Sequence, residues 1–427
     1  MTTPARRWSP GNIKTFRALA HPSFRLAWSG GTLWFLSIMM EMAVLSWLVL
    51  ELTNSPGAVA VLGFFRTLPM FLFGMVSGSV ADRFSKKLLM VITQGMSLTG
   101  AVAMLILLVL GVVEPWHAYV VVFITGVADV TDFSARRSYY AEILDQPSFL
   151  NAVSLHAASA MGSGMVGPAL GGLLISFAGY EGAYGFMVVT YILASVLISR
   201  ARASAPSARP PGAPRGPLSQ VREAFVMMKR NRTVRAALLV TVTLNFCAFP
   251  YMAMVAVIAR DILRVTEIPY GFLAASIGFG AFVGALVIAS RTVRNHGNVY
   301  FFGSAMLMAC VFLFGLSSFY PFSLLALVAA GLGQAGFASM QAAMVLLAVG
   351  PEMRGRAMGA VALAIGASPF GSLAVGQLAE LLGPQRALMA LSAVGFAILM
   401  FLRWWFPELR GKKPEATASP VAKAQAG

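Results

Sequence analysis

The sequence predicts an all-α membrane protein whose twelve transmembrane helices fall into two halves of six. Three observations carry that reading. First, 58% of the 427 residues are hydrophobic and only 11% are charged, whereas soluble domains carry roughly 25% charged residues. Second, the apolar residues come in runs of about 20, the length that crosses a hydrocarbon layer. Third, Lys and Arg gather in alternate connections between those runs, the pattern that orients a polytopic chain.

In order, the expected spans are 27–52, 58–81, 88–112, 116–135, 152–178, 183–199, 236–259, 270–290, 299–319, 322–348, 357–382 and 385–406. The first is too long for the apolar core of a cleaved leader and has no small-residue cleavage site after it. The fourth carries two aspartates, and the sixth is short. With the N-terminus inside, 28 of the 32 Lys and Arg residues face the cytoplasm; Arg260, Arg264 and Arg386 lie outside and Arg66 lies within a span. Both termini are therefore expected to be cytoplasmic, and the +16 formal charge marks orientation. No nucleic-acid partner is expected.

The organisation that follows is a cytoplasmic segment 1–26, a six-helix bundle 27–199, a cytoplasmic linker 200–235, a second bundle 236–406 and a tail 407–427. The linker begins with a Pro-, Ala- and Arg-rich stretch, 200–217, of solvated character. Val221, Phe225 and Met228 then share one helical face, which suggests a short amphipathic helix on the membrane surface. Pro56 at span two and Pro269 at span eight, each followed by a basic loop, suggest that the halves are parallel repeats.

Cys247 and Cys310 both fall in apolar segments and form no disulfide framework. The four histidines are scattered without metal-ligand spacing. No metal or cofactor is expected, nor an enzyme, because no nucleotide loop or nucleophile constellation is present.

The loop after span two reads Gly78-Ser79-Val80-Ala81-Asp82-Arg83-Phe84-Ser85-Lys86-Lys87. Gly78 permits close helix approach, and Asp82 can cap a helix or pair with a cation. The order resembles the G-x-L-a-D-r-x-G-r-k loop signature of the major facilitator superfamily, with Ser85 in place of the second glycine. The resemblance extends over nearly the whole chain. It implies the major facilitator fold, secondary transport, and a cytoplasmic gate at Gly78, Asp82, Arg83, Lys86 and Lys87. Asp132 and Arg136 of span four would join that gate, Asp132 as the partner of Arg83 or Lys86.

In span five, Gly167-Pro168-x-x-Gly171-Gly172 is similar to the antiporter motif of export-type members, with Ser163 where that motif has an upstream glycine. Taken singly, each glycine serves helix packing equally well. Thr53-Asn54-Ser55-Pro56 and Pro351-Glu352-Met353-Arg354-Gly355-Arg356 are similar to the drug/proton antiporter branch that holds macrolide-efflux and enterobactin-export proteins.

Charges inside the membrane each need a reason, because one at mid-bilayer costs about 2.5–3.5 kcal/mol on insertion scales. Glu41 lies about 18 Å down span one and Arg66 about 14 Å down span two, at 1.5 Å per residue. An ion pair between them is expected, serving either neutralisation or proton binding. Asp129 and Asp132 of span four share a helical face with Arg136, four residues further on near the cytoplasmic end, and Asp129 is the second proton-coupling candidate. Trp34 and Ser37 share a face with Glu41. With Asn245, Gln334 and Gln341 they are the candidates to line a substrate cavity, although such groups more often bond between helices.

The expected function is proton-coupled export of amphipathic or apolar small molecules, of drug or siderophore type, by alternating access. Its partners would be that substrate, protons and the lipid bilayer, with the chain acting as a monomer in a bacterial inner membrane. Two alternatives stay open. One is metabolite uptake by symport or movement of a lipid; the other is a non-transporting receptor or assembly factor on the same scaffold.

Overall fold

The computed structural model of the chain describes residues 14–74, 84–202, 226, 228–229, 231–290, 293, 295–350 and 353–410. Among these, every regular element is helical: α1 (Pro22–Thr53), α2 (Pro56–Phe73), α3 (Lys86–Val109), α4 (Pro115–Ile143), α5 (Gln146–Arg200), α6 (Arg232–Cys247), α7 (Tyr251–Val257), α8 (Glu267–Ala289), α9 (His296–Leu316), α10 (Tyr320–Leu347), α11 (Arg354–Ile365), α12 (Ser368–Leu382) and α13 (Pro384–Trp405). Gly78, Asp82, Arg83, Val221, Phe225, Pro351 and Glu352 lie outside the described residues, as does the linker from 203 to 225.

Proline and short polar side chains set the helix starts. A proline at the first or second helical position opens α1, α2, α4, α5, α10, α12 and α13, where its missing N–H costs nothing. The turn between α1 and α2 is spelled in four residues. Asn54 takes the left-handed conformation (φ 51°) that ends α1; the Ser55 hydroxyl then accepts from Ala58 N at 3.0 Å, and Pro56 begins α2. Asn231 and Asn295 cap α6 and α9 in the same way.

Helix α5 runs for 55 residues, which as one straight rod would measure about 82 Å, far beyond a bilayer. Gly179 breaks it, with φ 68° and ψ −175° that only glycine adopts without strain. The arms 146–178 and 180–200 are spans five and six. Among the described residues, eleven helical stretches are long and apolar enough to span, α6 with α7 and α11 with α12 each counted as one, and with α5 counted as two they make twelve. Span seven is likewise composite. Pro250 interrupts the hydrogen-bond ladder between α6 and α7, and a π-helical turn, Ile258–Ile262, closes it.

The described chain forms two compact units, 1–214 with 252–279, and 215–251 with 280–427. The sequence-based halves divide instead at the linker; the difference lies in α7, the π-turn and the first part of α8. The cause is close backbone approach within the first unit. Gly271 of α8 lies against Gly172 of α5, where a Cβ on Gly172 would stand 3.0 Å from the Gly271 Cα. The Tyr270 hydroxyl donates to Ala43 O of α1 at 3.0 Å, and Arg260 Nη1 donates to Leu50 O at 2.8 Å. Helix α1 and the span Arg232–Ile262 are the most enclosed of the apolar helices, α2 the least. Phe133, Phe177 and Leu381 stand exposed, as side chains facing lipid would.

Candidate functional site

Helix α1 is the most enclosed of the helices lying wholly in the first unit and carries polar groups at successive turns. Trp34 is fully buried and its indole N–H donates to the Ser97 hydroxyl of α3 at 3.1 Å. Ser37, equally buried, shares a 2.6 Å hydrogen bond with Thr190 on the second arm of α5. One turn further, Glu41 is 1% exposed. Thr125 of α4 and Arg66 of α2 both act on its carboxyl. Its Oε1 has no hydrogen-bond partner among the described residues.

The expected Glu41–Arg66 ion pair does not form. Arg66 Nη2 instead donates to Asp129 Oδ2 at 2.8 Å. The reason lies in packing. Gly126 of α4 lets that helix approach α2 until the place of its Cβ is 2.8 Å from Arg66 O, and Asp129 is one turn along from Gly126. Depth along consecutive helices could not reveal this, because Asp129 and Glu41 present carboxylates at similar depths and only the second takes the buried side.

Asp132 is also paired differently from expectation. Arg136 Nε and Nη2 hold its two carboxylate oxygens at 2.7 and 2.8 Å, with both side chains 1% exposed. The i, i+4 spacing places donor and acceptor on one face, and the guanidinium's fork fits a carboxylate at both oxygens. Lys86 pairs with Glu142 at 3.1 Å, and Lys87 lies beside it in the first turn of α3. Thus Asp129 and Asp132, three residues apart, serve separate pairs.

The span-five glycines are close-approach positions. A Cβ at Gly167 would stand 2.9 Å from Leu36 O and Met40 N of α1, and one at Gly171 would stand 3.3 Å from Val44 Cγ2. Pro168 is buried between them, and its carbonyl lies under Gly271. Gly172→Ala would drive a methyl into the Glu267 carbonyl and the Gly271 backbone, neither of which is a flexible chain end. Overpacking of this kind costs about 1–3 kcal/mol. The purified variant is expected to melt at lower temperature, whereas Gly162→Ala, with nothing within 4 Å of the new methyl, should melt like the parent.

In the second unit, Asn245 and Gln341 converge on Thr241. Asn245 Nδ2 donates to Thr241 O at 2.9 Å and Gln341 Nε2 to the Thr241 hydroxyl at 3.0 Å. Tyr300 completes the cluster, its hydroxyl 3.0 Å from Thr241 Oγ1 and its ring stacked on Phe337 at 5.4 Å. Gln334 Oε1 has no partner among the described residues. Sequence reasoning missed Thr241 and Tyr300 here, and Thr125, Tyr184 and Tyr191 in the first unit. A usable signal was Tyr184 and Tyr191 seven apart in a short apolar span, which places both on one helical face.

A family model described as transmembrane secretion effector matches residues 13–423. An MFS-type transporter, YfiS, of Bacillus subtilis (strain 168) is 24% identical over 270 residues, 62% of this chain, and the chain spans 63% of that relative's length. Macrolide efflux protein A of Streptococcus pyogenes is 21% identical over 343 residues, 78% of this chain and 83% of that one. Among solved structures, a bacterial homolog of the human lysosomal transporter Spinster superposes with a TM-score of 0.71 at 15% identity, over 92% of this chain and 98% of that one. The D-xylose-proton symporter gives 0.71 at 13% identity, over 92% and 99%. These structural likenesses concern the fold.

Proposed function

Because the chain belongs to the transmembrane secretion effector family of major facilitator transporters, we propose that it exports amphipathic or apolar small molecules in exchange for protons, by alternating access. Membership makes it a multi-pass membrane transporter rather than an enzyme. The observation that carries the finer reading is Glu41: a carboxyl 1% exposed, with one oxygen unpartnered, on the most central helix of its unit. A group so placed is expensive unless it does work. Because Asp129 neutralises Arg66, Glu41 is left to take up and release a proton without dismantling an ion pair.

Export is supported by likeness to the macrolide efflux protein and by the Gly167-Pro168-x-x-Gly171-Gly172 motif. Neutral polar groups suit an amphipathic cargo better than charged ones. In the second unit Thr241, Asn245, Tyr300 and Gln341 offer neutral hydrogen bonds beside aromatic rings, and no charged group belongs to that cluster. The cytoplasmic gate is assigned to Gly78, Asp82, Arg83, Lys86 and Lys87, and the membrane is taken to be a bacterial inner membrane with both chain termini on its cytoplasmic side.

Inverted membrane vesicles test the proposal. Across a panel of macrolides and other amphipathic compounds, at least one is expected to accumulate when the lumen is acid and to stop accumulating when the gradient is collapsed. Accumulation that ignores the pH gradient would reject proton coupling. Accumulation in right-side-out vesicles under the physiological gradient would reject export in favour of uptake.

A further inference from the structure

Tyr184 and Tyr191 project from the second arm of α5 with Met187 between them, and all three are 0% exposed. Their spacing of three and four residues makes one inward stripe. The register of that stripe on α1 is fixed by the Ser37–Thr190 hydroxyl pair at 2.6 Å. Spans one and six run antiparallel, so the four residues from Ser37 to Glu41 correspond to four residues back from Thr190. Glu41 therefore stands level with position 186, between the two tyrosines. Side chains lean towards the N-terminus of their own helix, which brings Tyr191 and Glu41 towards each other.

Glu41 Oε1, the Tyr184 hydroxyl and the Tyr191 hydroxyl all lack hydrogen-bond partners among the described residues. The Glu41 carboxylate acts electrostatically on both phenols. The other groups facing it are Thr125 from α4 and Arg66 from α2; Arg66 and Asp129 also act on Tyr191. Each of these orphan polar atoms, buried in the same bundle, is costly taken alone. A phenylalanine would fill either tyrosine's space without burying a hydroxyl. Internal waters typically make about three hydrogen bonds to such otherwise unsatisfied groups.

We propose that Tyr184 and Tyr191 are positioning residues for Glu41, joined to it through internal water that links the two hydroxyls to the carboxyl. The inference rests on the reading of Glu41 as the proton carrier. A proton arriving on the water as hydronium passes to Oε1, which regenerates the water, and departure follows the reverse path. The phenols keep their protons throughout. They donate hydrogen bonds to the water, whose own O–H donates to the ionised carboxylate and favours it.

Infrared difference spectroscopy on the purified full-length protein, titrated from acid to alkaline pH without substrate, tests this with protons as the only ligand. The carboxylic C=O band that disappears in Glu41→Gln identifies Glu41. In Tyr184→Phe/Tyr191→Phe, that band should move to higher frequency, and Glu41 should hold its proton about tenfold more tightly, a shift of about one pH unit. The melting temperature should stay that of the parent, because ring packing is preserved. Each single variant should move the band in the same direction by less, so the test stands even where the double variant fails to fold. An unmoved band and midpoint in well-folded phenylalanine variants would overturn the positioning role and leave Glu41 as carrier. A parent protein in which no band is lost in Glu41→Gln would overturn both readings together.

Discussion

Glu41→Gln is expected to abolish gradient-driven accumulation while leaving substrate binding and downhill exchange intact. The substitution keeps the shape of the side chain and removes its capacity to carry a proton. Loss of an obligatory proton-transfer group is felt on a scale of about a hundredfold or more in rate, so accumulation should fall to the level of vesicles lacking the protein. The measurement pairs uptake of a transported compound into inverted vesicles, with and without an imposed pH gradient, with counterflow at equal pH on both sides. A variant that still accumulates substrate against its gradient would remove Glu41 from the coupling step and promote Asp129.

The pairing of Arg66 with Asp129 makes that experiment cleaner than depth along the spans alone would suggest. Were Arg66 the partner of Glu41, neutralising the acid would strand a guanidinium in the bundle, and lost folding would masquerade as lost coupling. With Asp129 at 2.8 Å from Arg66, Glu41→Gln strands nothing. Asp129→Asn does the opposite, because it leaves Arg66, 12% exposed, without its counter-charge. The two variants therefore separate chemistry from construction: the first should accumulate in the membrane at parental abundance, the second should not.

What was legible in the sequence follows from which forces act locally. Span number and order were readable because a hydrocarbon layer demands apolar runs of fixed length, and because prolines such as Pro56, Pro115 and Pro384 open helices. The turn at Asn54-Ser55-Pro56 was likewise written in the residues that build it. Partner choice was not. Asp129 and Asp132 share a helix face in one dimension, yet one turns to α2 and the other to Arg136, a choice made by small residues: Gly126 on α4 itself and Gly31 on the facing α1. The grouping of 252–279 with the N-terminal residues was hidden for the same reason, since Gly172 and Gly271 meet only in three dimensions. The tyrosine stripe on α5 was visible as spacing, but nothing in the spacing tells a packing tyrosine from one facing a carboxyl.

The largest loss of stability is expected at Asp132. Its partner Arg136 makes three contacts at once: it holds both Asp132 oxygens within α4, donates through Nη1 to Ala27 O of α1 at 2.7 Å, and lies 6.0 Å from the centre of the Trp34 ring, also on α1. Room for the guanidinium exists because residue 31 is glycine, where a Cβ would stand 2.5 Å from Nη1. Thr93 of α3 adds a weaker contact to Asp132 Oδ1 at 3.4 Å. Asp132→Ala therefore leaves a cation 1% exposed with no counter-charge, and breaking a buried pair from one side costs about 3–5 kcal/mol. That is a large share of the stability a folded protein commands, so little folded protein should be recovered. Replacing both partners with apolar groups of similar volume, as in Asp132→Leu/Arg136→Met, removes the stranded charge together with the desolvation it carries, and such exchanges are often neutral or stabilising. The double variant should regain most of the folded yield seen by size-exclusion chromatography and most of the parental melting temperature. Gly31→Ala, which crowds the guanidinium without touching any charge, should weaken the parent but not the double variant. A double variant no better than Asp132→Ala would mean that the bonds Arg136 makes to α1, rather than its charge balance, hold this end of the bundle together.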